Sequence, residues 1–182
     1  PVAETPGPER PYTTEAQSAI GPLNWEPFAA PALECADTDG KPVTLKQFLG
    51  KNVILVFYLN DECPHCVSQL VAINAHASDW EGENAVVLAV SSTTPEKNKA
   101  SETLGKLAVH LLSDHDHENA RRFTSYDDFE EMELHSTILI DAKGRVHWKR
   151  TGGEPFADVD FLLQSLKRMN GKTPEAPAAA AK

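Results

Sequence analysis

Asn52-Val-Ile-Leu-Val-Phe-Tyr-Leu-Asn-Asp-Glu-Cys-Pro-His-Cys-Val-Ser-Gln-Leu70 joins an unbroken apolar run to a closely spaced pair of cysteines. From Val53 to Leu59 the residues are β-branched, aromatic or leucine, the pattern of a strand covered on both faces in the middle of a parallel sheet. Asn60, Asp61 and Glu62 end that run. Beyond Cys63-Pro64-His65-Cys66, the apolar positions Cys66, Leu70, Ile73 and Ala77 recur at helical spacing. The cysteines therefore fall where a strand hands over to a helix. Pro64 suits the first helical turn, where its missing N–H leaves no bond unmade.

That position carries chemistry. Cys63 lies at or just before the helix start, where unpaired N–H groups favour a negative charge, and a thiolate is such a charge. The thiolate is the reactive form of cysteine, and a helix N-terminus with a nearby imidazole lowers its pKa. His65 helps when protonated, whereas Asp61 and Glu62 oppose the effect. Two intervening residues let the sulfurs meet within one turn and form a disulfide reversibly. The competing readings are half of a structural zinc site and two inert cysteines. Zinc usually takes four ligands, and a second Cys-x-x-Cys or a His-x-x-x-His is absent. A redox pair is the favoured reading, with no metal and no cofactor expected.

The remaining polar clusters read more plainly. Cys35 shares a short strand face with Leu33 and is expected to be a buried apolar side chain, the minority reading being a resolving thiol. His110, His115 and His117, with Asp114 and Asp116, fall on a predicted loop as solvated or capping residues rather than a metal site. Asp127, Asp128, Glu130, Glu131 and Glu133 read as a solvated acidic face.

Seventeen basic and twenty-seven acidic side chains give a net charge of −10, which argues against nucleic acid or an anionic membrane surface as partner. No apolar stretch approaches the roughly 20 residues of a membrane helix, and the N-terminus shows no basic-then-apolar leader. Pro1 suggests a processed or excised fragment, a domain tethered within a longer chain. The compartment is left open, leaning extracytoplasmic, or periplasmic, over cytoplasmic.

Residues 1–22 are Pro-rich and read as a flexible arm, residues 23–170 as one folded domain, and residues 171–182 as a Pro/Ala tail. Trp25 and Phe28 are expected to pack at the domain edge. A hairpin turning at Asp39-Gly40 pairs strand 32–36 with Val43-Leu45, and one helical turn ends at Gly50. Ala85–Val90 is a second buried strand, completing a right-handed βαβ unit with the first. Thr94-Pro95 opens a helix, Leu111-Leu112 is a brief strand, and Asp114 or Asp116 caps a helix reaching Phe123. Ser136–Ile140 and Arg145–Trp148 form a hairpin, and a last helix aligns Val159, Leu162, Leu163, Leu166 and Met169.

This order of elements resembles the thioredoxin fold: α/β, a central mixed sheet flanked by helices on both faces, with an N-terminal β-hairpin extension. Asp39-Gly40-Lys41, Phe57-Tyr58, Leu112-Ser113-Asp114 and Ser136-Thr137-Ile138-Leu139-Ile140-Asp141 further resemble the peroxiredoxin branch, the alkyl hydroperoxide reductase and thiol-specific antioxidant family. That family carries a Pro-x-x-x-Thr-x-x-Cys loop. Its register implies Leu59 at the proline, Cys63 at the threonine and Cys66 at the peroxidatic cysteine, with His135 at the arginine that polarises peroxide. Peroxide reduction is then expected to be weak unless His135 or Cys63 substitutes. Cys-Pro-His-Cys is equally similar to the motif of thioredoxins and periplasmic disulfide oxidoreductases, a resemblance that makes Cys63 the nucleophile and Cys66 the resolving thiol. Those families place a cis-proline before the late strand, where this chain has Leu134-His135-Ser136.

Three functions follow as expectations. The first is thiol–disulfide exchange by the Cys63/Cys66 couple with protein or small-molecule thiols and disulfides. The alternative is a peroxidase with Cys66 peroxidatic and Cys63 resolving, and the third is a non-catalytic module. Cys63, Cys66, His65 and His135 are the candidate catalytic residues.

Overall fold

The computed structural model describes residues 26–172. Within them, strands β1 (Phe28–Ala29), β2 (Glu34–Ala36), β3 (Pro42–Thr44), β4 (Asn52–Phe57), β5 (Ala85–Ser91) and β6 (His110–Ser113) precede a small ribbon of β7 (Tyr126–Asp127) and β8 (Met132–Glu133). β9 (His135–Ile140) and β10 (Arg145–Gly152) follow. The helices are α1 (Pro64–Asn74), α2 (Ala77–Gly82), α3 (Pro95–Ala100), α4 (Glu118–Arg122) and α5 (Val159–Met169).

β4 is buried at every position because strands occupy both its edges and packed layers cover both faces of the sheet. β5 lies parallel to it, pairing Leu55 with Leu88, and β9 lies antiparallel, pairing Leu55 with Ile138. The full sheet runs β1-β10-β9-β4-β5-β6-β2-β3, with β4, β5 and β6 parallel and the other pairings antiparallel. The alternation of side chains along β4 divides the core. Ile54 and Val56 face Leu70 and Ile73 of α1 and Leu162 and Leu166 of α5. Val53, Leu55 and Phe57 face the opposite layer, with Leu33, Cys35, Ala120 and Phe123. Helices on both faces of a mixed sheet make this a thioredoxin-like α/β fold, and the β2–β3 hairpin extends its edge as expected.

Several local expectations need correction. The cysteine helix does not run on through Ala77, as its apolar spacing implies. It stops at Asn74, and α2 starts afresh after His76, with Trp80 Nε1 donating to the Ile73 carbonyl across the break. The cap of α4 is His117, in the left-handed conformation at φ 59°, rather than Asp114 or Asp116. Asp114 instead accepts from the backbone N–H groups of Asn119 and Ala120, and Asp116 from that of Glu118. Glu133 departs from the solvated acidic face: it is buried, accepting from Ser92 N at 3.1 Å and pairing with His117 Nδ1 at 2.9 Å. Phe28 pairs with Val146 through its backbone in β1, yet the residue is 48% exposed. Trp25, the arm at 1–22 and the tail beyond residue 172 lie outside the described residues. No helix of the described residues is long and apolar enough to cross a membrane.

Candidate active site

α1 begins where it does because Cys63 is extended (φ −83°, ψ 107°) and Pro64 supplies the first helical position. Cys63 Sγ accepts the Cys66 N–H at 3.3 Å, standing where a serine or aspartate oxygen usually caps. Such a cap is worth about 1 kcal/mol, whereas burying Leu70 and Ile73 contributes roughly 1.5–3 kcal/mol each. Packing, not the cap, holds α1 in place. Cys63 can therefore change partners without undoing the helix.

Phe57 pairs with Ser136, so His135 sits one residue beyond the end of β4, above the start of α1. The chain turns from β4 into α1 at that same level. This brings His135 Nε2 to 3.1 Å from Cys66 Sγ. Cys63 Sγ completes a cluster whose three atoms all lie within 4.8 Å of one another. Cys66 is fully buried, His135 nearly so, and Cys63 only partly.

Burial pushes the Cys66 thiol up to about 12, and Cys63 pushes the same way, while backbone groups at Leu59 and Asn60 hydrogen-bond the sulfur and oppose the rise. Burial lowers the His135 pKa below its ordinary value, against a hydrogen bond to the backbone at Gly153 and the nearby Glu154 carboxylate. At neutral pH the resting pair is thus a protonated thiol beside an uncharged imidazole, one able to give a proton and the other to take it.

His65 does not join them. It is exposed, with Nδ1 3.4 Å from Glu154 Oε2. Cys35 is buried in the core layer on the other side of the sheet, away from the pair. All three cysteines are free thiols. None of the peptide bonds is cis among the described residues, so the chain has neither the residue nor the backbone geometry of the cis-proline loop.

Gln69 is the site residue that the sequence did not reveal. From α1 its Nε2 donates to Thr137 Oγ1 and to the Phe156 carbonyl, each at 3.0 Å. It ties the cysteine helix both to β9, next to His135, and to the loop after β10. Its only sequence signal is a polar residue one place before Leu70 on a helix, which reads as an exposed position. A cleft of about 270 Å³ opens beside the loop ahead of Cys63, lined by Asn60, Glu62, Thr93, Lys97 and His115 among others. Neither sulfur nor His135 is among its walls.

Two thiols within one helical turn, with an imidazole against the inner one, on a thioredoxin-like scaffold, define a thiol-redox oxidoreductase. Residues 28–149 match the AhpC/TSA family. Chloroplastic peroxiredoxin Q of Sedum lineare is 31% identical over 142 residues, covering 75% of this chain and 76% of that protein. Peroxiredoxin Bcp of Bacillus subtilis is 29% identical over 152 residues, covering 79% and 95% respectively. The crystal structure of Enterococcus faecalis AhpC superposes with a TM-score of 0.71 at 22% identity, over 80% of this chain and 92% of that one, a likeness of fold.

The chain belongs to the AhpC/TSA family, the peroxiredoxins, and is an oxidoreductase of the thiol-dependent peroxidase class. Family membership corrects the order of the expectations drawn from Cys-Pro-His-Cys. It favours peroxide reduction over disulfide exchange.

Proposed function

We propose that the chain reduces peroxides with Cys66 as the attacking sulfur, His135 as its base and Cys63 as the resolving thiol. One observation supports this above the others: His135 Nε2 lies 3.1 Å from Cys66 Sγ, at the register position where the family carries arginine. A thiol held near 12 is almost wholly protonated at neutral pH, so attack needs a base already in contact. His135 takes the thiol proton as the sulfur attacks the peroxide oxygen. The O–O bond breaks, the S–O bond forms, and the departing oxygen receives that proton as alcohol or water. Cys66 is left as sulfenic acid, oxidised by two electrons. Cys63 then displaces hydroxide from it, forming the Cys63–Cys66 disulfide and, with the Cys63 proton, one water. Two equivalents of an external thiol restore both sulfhydryls. Cys66 has no exposed surface, and Cys63 Sγ already lies within 4.8 Å of it, close enough to resolve the sulfenic acid within the first turn of α1.

A second reading rests on the exposure of Cys63. It is the only sulfur of the pair with accessible surface, so a polypeptide disulfide would meet Cys63 first, with Cys66 resolving. Serine variants separate the two. Under the peroxidase reading, Cys66→Ser abolishes hydroperoxide consumption, while Cys63→Ser keeps the first oxidation and accumulates a sulfenic acid that dimedone traps at Cys66. Loss of the first oxidation in Cys63→Ser, with insulin disulfide reduction in the wild type, would instead establish the exchange reading.

A further inference from the structure

The zinc reading set aside at the sequence level lacked ligands, and the fold supplies one from 69 residues downstream. Cys63 Sγ, Cys66 Sγ and His135 Nε2 converge so that every pair of these atoms lies within 4.8 Å. A tetrahedral cation with metal–sulfur bonds of about 2.3 Å and metal–nitrogen bonds of about 2.0 Å holds its ligand atoms roughly 3.5–3.8 Å apart. The Cys66–His135 pair, at 3.1 Å, has to open slightly, and the other two pairs, each within 4.8 Å, need about an ångström of closure at most.

The three groups come from rigid places. Cys63 caps α1, Cys66 lies in its first turn, and His135 opens β9. We propose that the reduced protein binds one thiophilic cation of the zinc class through Cys63, Cys66 and His135, leaving the fourth position to water. Two thiolates and an imidazole select such an ion over magnesium or calcium, which take oxygen ligands.

Binding and redox chemistry exclude each other at this site, because a disulfide offers no thiolate. Loading exchanges two thiol protons for one divalent ion. Oxidation of the loaded site by a hydroperoxide and two protons yields the disulfide, the free cation, one alcohol and one water. The cation thus shields the dithiol, and peroxide in sufficient excess releases it. The binding itself does not rest on which sulfur attacks peroxide.

The test is an anaerobic titration of the reduced full chain with Co2+, followed by displacement with Zn2+ and competition against a chromophoric chelator. One equivalent should bind, with an intense sulfur-to-cobalt charge-transfer band and the visible bands of tetrahedral cobalt. Cys63→Ser and Cys66→Ser should each weaken or remove the charge-transfer band, and Cys35→Ala should leave it unchanged. His135→Ala should lower Zn2+ affinity by at least the tenfold to hundredfold seen for supporting residues of metal sites. Wild-type protein oxidised to the Cys63–Cys66 disulfide should bind nothing until reduced again, a control that requires no substitution. Unchanged affinity in His135→Ala, a full charge-transfer band in Cys66→Ser, or equal binding by the oxidised protein would each overturn the proposal.

Discussion

Cys35 and Cys66 are both buried thiols, one on each side of the same sheet, and burial pushes both up to about 12. What surrounds them differs. Cys35 packs among apolar side chains, and beyond its burial the carboxylates of Asp114 and Asp116 raise it further against the nearby Arg122. Those carboxylates oppose formation of a thiolate. Cys66 has an imidazole nitrogen at 3.1 Å and a second sulfur within 4.8 Å. Desolvation alone makes a cysteine inert on either side. A base in contact and a partner thiol are what separate a working sulfur from a packing one.

The substitution expected to erase that difference most strongly is His135→Ala, which turns Cys66 into a second Cys35. A positioned base contributes about a hundredfold or more to a proton-coupled step. The second-order rate of Cys66 oxidation by hydrogen peroxide should fall by at least about a hundredfold in stopped-flow measurements, with a smaller loss in folding stability. If His135→Ala oxidises at the wild-type rate, contact with the imidazole is not what distinguishes the two thiols.

A second prediction uses the other end of β9 as a control, because that end carries charge but no sulfur. Asp141 accepts from the backbone N–H groups of Lys143 and Arg145 and meets the side chains of Arg145 and His147 at 2.7–2.9 Å. Although burial acts upward, these partners together hold its carboxyl at about 2, below the ordinary aspartate value of 3.8. A carboxyl whose folded pKa is depressed favours folding above the unfolded value and loses that contribution as pH falls through the folded one. Stability on the order of 2 kcal/mol should therefore drain away between about pH 4 and pH 2. Urea midpoints recorded across that range should flatten in Asp141→Asn. Equal slopes in variant and wild type would show that the turn does not use this charge.

How far the sequence exposed these features depends on whether the signal was local. β4 was legible because a strand covered on both faces leaves a continuous apolar run, and the start of α1 because Pro64 follows a capping position. His135 was legible only by family register, since nothing between Leu134 and Ser136 marks a histidine as site-facing. Gln69 was not legible at all: its partners Thr137 and Phe156 lie on elements brought together only by the closed sheet. The cap of α4 was misread for a backbone reason. His117 takes a left-handed conformation that few non-glycine residues adopt, so Asp114 can be spent on the N–H groups one turn further on. Glu133 was misread because the residues just before it, from Asp128 to Met132, are exposed, while its partners, Ser92 and His117, come from other loops.

The smallest expected effect is also the sharpest test of the comparison. Cys35→Ala removes one buried sulfur from the layer formed with Leu33, Val53 and Leu112. Losing one buried heavy atom, with partial collapse of the space, should cost about 1 kcal/mol of stability, read as a lowered urea midpoint at unchanged slope. Peroxide turnover at saturating external thiol should stay within about twofold of wild type, since Cys35 faces the layer opposite Cys66 and α1 packs on the far side of the sheet. A large loss of turnover with a normal urea midpoint would mean that Cys35 exchanges electrons with the pair. That requires the β2–β3 edge to open, because no rotation of a side chain carries a sulfur through a hydrogen-bonded sheet.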